Sequence, residues 1–384
     1  MSETQKRKIP LCVPDIEAAE TDLMVEAVLS GWLAHGKHNH DFEERFAALL
    51  GVKYALSLNS CTAALFLGIA AQGIKGEVIM PSFTFVASAN AVLTAGAMPV
   101  FVDIDYDTCN INPAAIEAAI TPRTEAIMPV HYGGQPCQMD KIMAIAEKHG
   151  LAVIEDSAET IGATWENRQA GSFGTGAFSF YPTKNLTTGE GGMLTTSDKT
   201  LYENAKSIHA HGIRSSTYER EKAEQPWLRA ATEPGFNFRM SNVLAALGIR
   251  QLEKLERMNA ARQHHAAALS EGLGVYQDDL DLPVTHPQAT HVWQMYTVKL
   301  HEGIDRIAFL KYLREQGIGA SVHFDPPVHR QPLYAEMNHR HPLEVTECVA
   351  GRIVTLPMYP KLQPEDIAYM VEHVGKALVE GGRA

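Results

Sequence analysis

At 384 residues the chain exceeds what one hydrophobic core usually supports, so a large domain and a smaller one are expected. A net charge of −12, with 45% hydrophobic and 20% charged residues, is ordinary for a soluble globular protein and argues against nucleic acid or an anionic membrane as the main partner. No stretch approaches the roughly 18 apolar residues of a membrane span, residues 1–10 lack a signal-peptide core, and five scattered cysteines (Cys12, Cys61, Cys109, Cys137, Cys348) show no C-x-x-C spacing, which offers no zinc site and fits a reducing cytoplasm.

From about residue 52 to 198, short apolar runs alternate with helical patterns. Strands are expected at 52–58, 77–81, 98–104, 125–131, 152–156, 176–181 and 192–196. Most are nearly continuous apolar runs, as strands buried on both faces should be. Helical spacing falls between them at 63–71, 87–93, 113–119 and 139–149. The fold class is therefore α/β: a large domain with a seven-stranded, mostly parallel sheet flanked by helices. The last two strands lie too close together to enclose a helix, so one of them is expected to be antiparallel. A long helical pattern from 241 to about 270 bridges to a smaller C-terminal α+β domain, with a strand at 294–300, a helix at 306–316, a short strand at 320–324 and a terminal helix at 364–378. The expected domains are 1–255, with an N-terminal arm, and 256–384. The irregular stretch 215–234 is expected to be a mobile loop near a site.

Four features sit at expected strand ends, where open α/β sheets place ligands. The turn in Ser179-Phe-Tyr-Pro-Thr-Lys184 carries a lysine whose neutral amine is the form that makes a Schiff base with an aldehyde. Leu58-Asn-Ser-Cys-Thr62 runs from a strand into a helix start, which offers N–H groups and a positive dipole end to a phosphate. Glu155 and Asp156 end a buried run and point to opposite sides, and a carboxylate there can keep a pyridine nitrogen protonated. Pro81-Ser-Phe-Thr-Phe85 puts two aromatics at a turn, one of which can stack on a flat heterocycle while at least one belongs to the core. Singly these read equally as a turn lysine, helix caps and core residues. As a set they fit pyridoxal phosphate. The Gly-rich segment 189–192 has the wrong spacing for a dinucleotide fingerprint.

These motifs, with Ser30-Gly-Trp32, Phe42-Glu-Glu44, Pro129-Val-His-Tyr-Gly-Gly-Gln-Pro136, Gly235-Phe-Asn-Phe-Arg-Met-Ser-Asn242 and Leu356-Pro-Met-Tyr-Pro360, resemble the fold-type-I, pyridoxal-phosphate-dependent sugar aminotransferases of the DegT/DnrJ/StrS group nearly end to end. The resemblance implies that Lys184 carries the cofactor and shuttles protons, that Asp156 pairs with the ring nitrogen and that Phe85 stacks on the ring. It implies phosphate contacts from Ser60, Cys61, Thr62 and Ser179, and places Glu159 near cofactor or substrate. Asn237 and Arg239 would reach the partner's site in a homodimer, while Trp32, Tyr181 and His329 match substrate-side elements. The implied reaction moves an amino group from a donor, usually L-glutamate, to a keto sugar, mostly nucleotide-linked, in amino-sugar and cell-surface polysaccharide biosynthesis. A keto-octulosonate or cyclitol substrate, or a lyase or dehydratase reaction on the same fold, stays open, although related dehydratases carry His where this chain has Lys184. Arg214, Arg220 and Arg229 could meet a diphosphate or carboxylate, or simply lie in a solvated loop. Two departures stand out: Cys61 replaces a frequent Gly, so the turn must avoid a glycine-only conformation, and Glu159 replaces a frequent Gln or His.

Overall fold

The computed structural model describes residues 7–214, 227, 230–337 and 339–380. Arg220 and Arg229 lie outside the described residues, as does most of the 215–234 stretch.

The large sheet contains β1 (Tyr54–Leu58), β2 (Glu77–Pro81), β3 (Met98–Val102), β4 (Thr124–Ile127), β5 (Ala152–Asp156), β6 (Thr175–Ser179) and β7 (Gly192–Thr196), in the order β1-β7-β6-β5-β4-β2-β3. Only β7 runs against the others, as its short connection from β6 requires. The C-terminal ends of β1, β2, β5 and β6 therefore share one edge. Every residue of β2, β6 and β7 is buried, as strands covered on both faces are.

Helices cover both faces: α1 (Ala18–Leu29), α2 (Lys37–Leu50), α3 (Cys61–Ala70), α4 (Val86–Thr94), α5 (Pro113–Ala119), α6 (Met139–His149) and α7 (Lys199–Ile208). The expected 241–270 helix is two, α8 (Asn242–Glu253) and α9 (Leu255–Leu273), separated at Lys254, whose φ of −110° and ψ of 8° interrupt the helix. The smaller unit has an antiparallel sheet of β8 (Leu280–Asp281), β9 (Tyr296–Leu300) and β10 (Ile353–Leu356), with α10 (Arg306–Glu315), α11 (Glu344–Arg352) and α12 (Pro364–Glu380).

Three sequence expectations change. No strand forms at 320–324. Ser321 makes a single bridge to Thr355, and the chain then turns away through Pro326 and Pro327, which lack the N–H a sheet ladder needs. The N-terminal arm packs with the smaller unit rather than the larger one: Ile9 bridges to Ile318 and is buried among Leu269, Phe309 and Val374. In the other direction, Val328, Tyr334 and Leu343 cross back into the core of the large unit.

Candidate active site

The four strand ends open into a cleft of about 450 Å³. Its wall includes Ser60, Cys61, Thr62, Phe85, Asp156, Glu159, Ser179, Tyr181 and Lys184 from the large unit, so nine of the residues singled out by sequence meet in one place. The smaller unit and the N-terminal arm complete it with residues that had no local sequence signal, notably Cys12, Gln294, His323 and Phe324.

Lys184 is placed by a turn in which its N–H donates to the Tyr181 carbonyl at 2.9 Å, with Pro182 fixing the first central position. The turn is fastened from outside. Gln294 Nε2 donates to the Thr183 carbonyl at 3.0 Å, and Asn185 Nδ2 donates to Asn259 Oδ1 at 2.7 Å and to the Val292 carbonyl at 2.8 Å. Asn185 is buried, so the sequon-like Asn185-Leu-Thr187 serves packing. The Lys184 amine donates to Glu159 Oε1 at 3.0 Å.

Glu155 and Asp156 diverge as alternation requires. Asp156 faces the cleft, buried, accepting from Ser88 Oγ at 2.7 Å and from the Ala158 amide at 3.2 Å. Ser88 in turn pairs with Thr84 Oγ1 at 2.8 Å. Burial pushes the Asp156 carboxyl above its ordinary range, against the pull of Ser88, Ala158 and Lys184.

Ser60 caps α3, its Oγ accepting from the Ala63 amide at 3.1 Å. The amides of Cys61 and Thr62 are left at the helix start, without intrahelical partners, beside the cleft. Cys61 is the first helical residue and has no positive φ, so the departure from glycine needs no glycine-only backbone. The helix end is backed by Gly192, where a Cβ would stand 2.4 Å from the Ser60 carbonyl carbon and 2.6 Å from the Cys61 nitrogen. The two aromatics divide as expected: Phe83 is buried against Tyr132 and Phe324, while Phe85 is 62% exposed and lines the cleft.

Four residues singled out by sequence lie outside this wall. His329 is buried with both ring nitrogens engaged, Nδ1 with Ser82 Oγ at 2.7 Å and Nε2 with Glu347 at 3.0 Å. It ties the returning segment to the large unit and does not face the cleft. Trp32 is half-buried, its indole donating to the His35 carbonyl at 3.1 Å and its own carbonyl accepting from Asn242. Asn237 and Arg239 lie beyond the end of β1, paired at 2.9 Å. Arg239 instead borders a smaller hollow with Arg214, His211 and His209.

A cleft with a lysine at a strand-end turn, a buried carboxylate, an exposed aromatic face and a helix N-terminus, on this seven-stranded sheet, matches the fold-type-I architecture. The chain belongs to the DegT/DnrJ/EryC1/StrS aminotransferase family, whose profile matches residues 14–375. It is 39% identical over 388 residues to the spore coat polysaccharide biosynthesis protein SpsC of Bacillus subtilis (strain 168), covering 98% of this chain and 99% of that one. Among solved structures it resembles Helicobacter pylori PseC, an aminotransferase of pseudoaminic acid biosynthesis, with a TM-score of 0.90 and 28% identity, covering 97% of this chain and 100% of that one. It also resembles DesI, solved in the presence of its TDP-sugar product, with a TM-score of 0.88 and 32% identity, covering 98% and 95%.

Pyridoxal phosphate is the cofactor of this family, and the cleft fits it. The amides of Cys61 and Thr62 at the α3 start, with the hydroxyls of Thr62 and Ser179, suit a phosphate. Asp156, whose burial favours sharing a proton, suits a protonated ring nitrogen.

Proposed function

We propose that this protein is a pyridoxal-phosphate-dependent transaminase that moves an amino group from L-glutamate to a nucleotide-linked keto sugar by a ping-pong mechanism. The observation that carries the reading is one cleft in which the Lys184 amine and the buried Asp156 carboxylate both meet the α3 helix end. The TDP-sugar of DesI supports the nucleotide-linked substrate, and the name of SpsC supports a role in cell-surface polysaccharide biosynthesis.

When bound, the cofactor supplies an electron sink that stabilises negative charge at the carbon losing a proton. The chain's residues do the rest. Lys184 would hold the cofactor and, with its amine free, would carry the transferred proton at Nζ. Asp156, steadied by Ser88 and Ala158, would keep the ring nitrogen protonated. Phe85 would stack on the ring, and Ser60, Cys61, Thr62 and Ser179 would hold the phosphate. Tyr181, half-exposed at the cleft wall, faces incoming substrate. Asn237 and Arg239, with Arg214 nearby, serve the partner's site in a homodimer. Five free cysteines agree with a cytoplasmic enzyme.

The test is a half-reaction. Protein loaded with pyridoxal phosphate should show a visible absorbance band that L-glutamate converts to that of the aminated cofactor, and a nucleotide-linked keto sugar should restore it. Lys184→Ala should abolish the band and turnover. Full turnover in that variant, or a band that no amino donor changes, would overturn the reading.

A further inference from the structure

Among the described residues, Glu159 supplies the side-chain hydrogen bond of the Lys184 amine, and the way Glu159 is held constrains its chemistry. Its two oxygens have different donors: Lys184 Nζ reaches Oε1 at 3.0 Å, and the Gly133 amide reaches Oε2 at 2.8 Å. A carboxylate accepts at both oxygens. A glutamine has one acceptor and one NH₂, so it would set a donor against one of these two donors.

The Gly133 amide cannot turn away. Its turn is stitched to the segment entering the smaller unit, Met295 N–H donating to the Gly133 carbonyl at 3.1 Å and Val292 N–H to the Gly134 carbonyl at 2.9 Å. A Cβ on Gly134 would come within 2.8 Å of the Trp293 and Gln294 nitrogens, so the two strands of chain are in close contact. Glu159 is thus a buried carboxylate pinned through backbone to the seam between the two units, with its free end on the lysine. Asp156, His323, Cys61 and Tyr132 are the other titratable groups whose fields it meets.

We propose that Glu159, accepting at both carboxyl oxygens, is the positioning residue of Lys184: it docks the amine whenever the lysine is free of cofactor, and it ties the direction of that amine to the seam between the units. This rests on the reading of Lys184 as the cofactor-bearing residue and adds that a carboxylate, rather than the frequent Gln or His, is required here.

The experiment compares the cofactor-loaded protein with Glu159→Gln and Glu159→Ala, both checked for folding by thermal melting. The pH midpoint of the Lys184-dependent visible band should fall by about one unit or more in both variants. The kcat should fall about tenfold to a hundredfold, with the KM for the keto sugar little changed, because the amine is misplaced and substrate contacts are not. A band present in all three proteins with an unmoved midpoint and unchanged kcat would overturn the proposal and leave the cofactor reading intact. Absence of any Lys184-dependent band in the unaltered protein would instead overturn the cofactor reading. A lower melting temperature with no change in midpoint would mark Glu159 as structural only, which also overturns the proposal.

Discussion

Glu155 and Asp156 are neighbours on β5, yet they live in opposite regimes. Behind the sheet, Glu155 is saturated: the amides of Gly171, Phe173 and Gly174 donate to it at 2.7–2.8 Å, and His131 Nε2 lies 3.1 Å away. The Cys137 amide donates to Nδ1 of that histidine at 3.1 Å, so Nε2 carries the proton that faces Glu155. On the cleft side, Asp156 has two donors and an open face. A carboxylate with every lone pair engaged builds structure. One with spare capacity beside a cavity is available for chemistry.

The largest effect that could break this contrast is at Asp156. Asp156→Asn should lower turnover about 10²- to 10⁴-fold while leaving the melting temperature near that of the unaltered protein or above it, since burial opposes the charge. Steady-state kinetics and a thermal melt settle it, and a large drop in melting temperature with intact turnover would invert the roles. The converse change, Glu155→Gln, should cost about 3–5 kcal/mol in denaturant unfolding, because a buried charge-assisted network loses its acceptor, with kcat in the folded fraction nearly unchanged.

His209 extends the comparison to a ring with one engaged and one unengaged side. It is buried, its Nδ1 bonded to the Lys206 carbonyl, while Nε2 has no partner among the described residues. Burial pushes its pKa down to about 4 from 6.5. Between those values the unfolded chain binds a proton that the folded chain excludes, so stability should fall as pH drops below about 6.5 and level off below about 4. The expected loss is on the order of 3 kcal/mol, and His209→Gln should flatten that part of a stability-versus-pH curve. The smallest effect is at Ser60. Ser60→Ala should cost about 1 kcal/mol through the lost helix cap and weaken cofactor binding severalfold. A stability loss with unchanged cofactor affinity would make Ser60 a cap alone.

Much of the large unit was legible because its rules are local. Buried parallel strands announce themselves as nearly continuous apolar runs, alternation sends Glu155 and Asp156 apart, and the Tyr181–Pro182 turn marks where the lysine projects. The α7 helix was also readable, from Asp198 capping the amides of Thr200 and Leu201 ahead of buried Leu201 and Ala205, but the sequence reading passed over it. What escaped was non-local. Cys12, Gln294, His323 and Phe324 reach the cleft from remote parts of the chain, and no spacing near them says so. His329 was assigned to the substrate side by resemblance alone, and its partners, Ser82 and Glu347, are supplied by tertiary structure. The interruption at Lys254 had no proline or glycine to signal it.

The arm that carries Ile9 into the smaller unit has a consequence for how the enzyme comes into being. Ile9 exchanges backbone hydrogen bonds with Gly317 and Gly319, and Leu11 and Cys12 just beyond it form part of the cleft wall. Ile9 must therefore wait for these partners until more than three hundred further residues, as far as Gly317 and Gly319, have been translated. At a synthesis rate of roughly 5–20 residues per second, that delay lasts tens of seconds. The large unit can fold during this interval, and the cleft acquires its last wall only when the Ile9 arm meets the segment around Gly317.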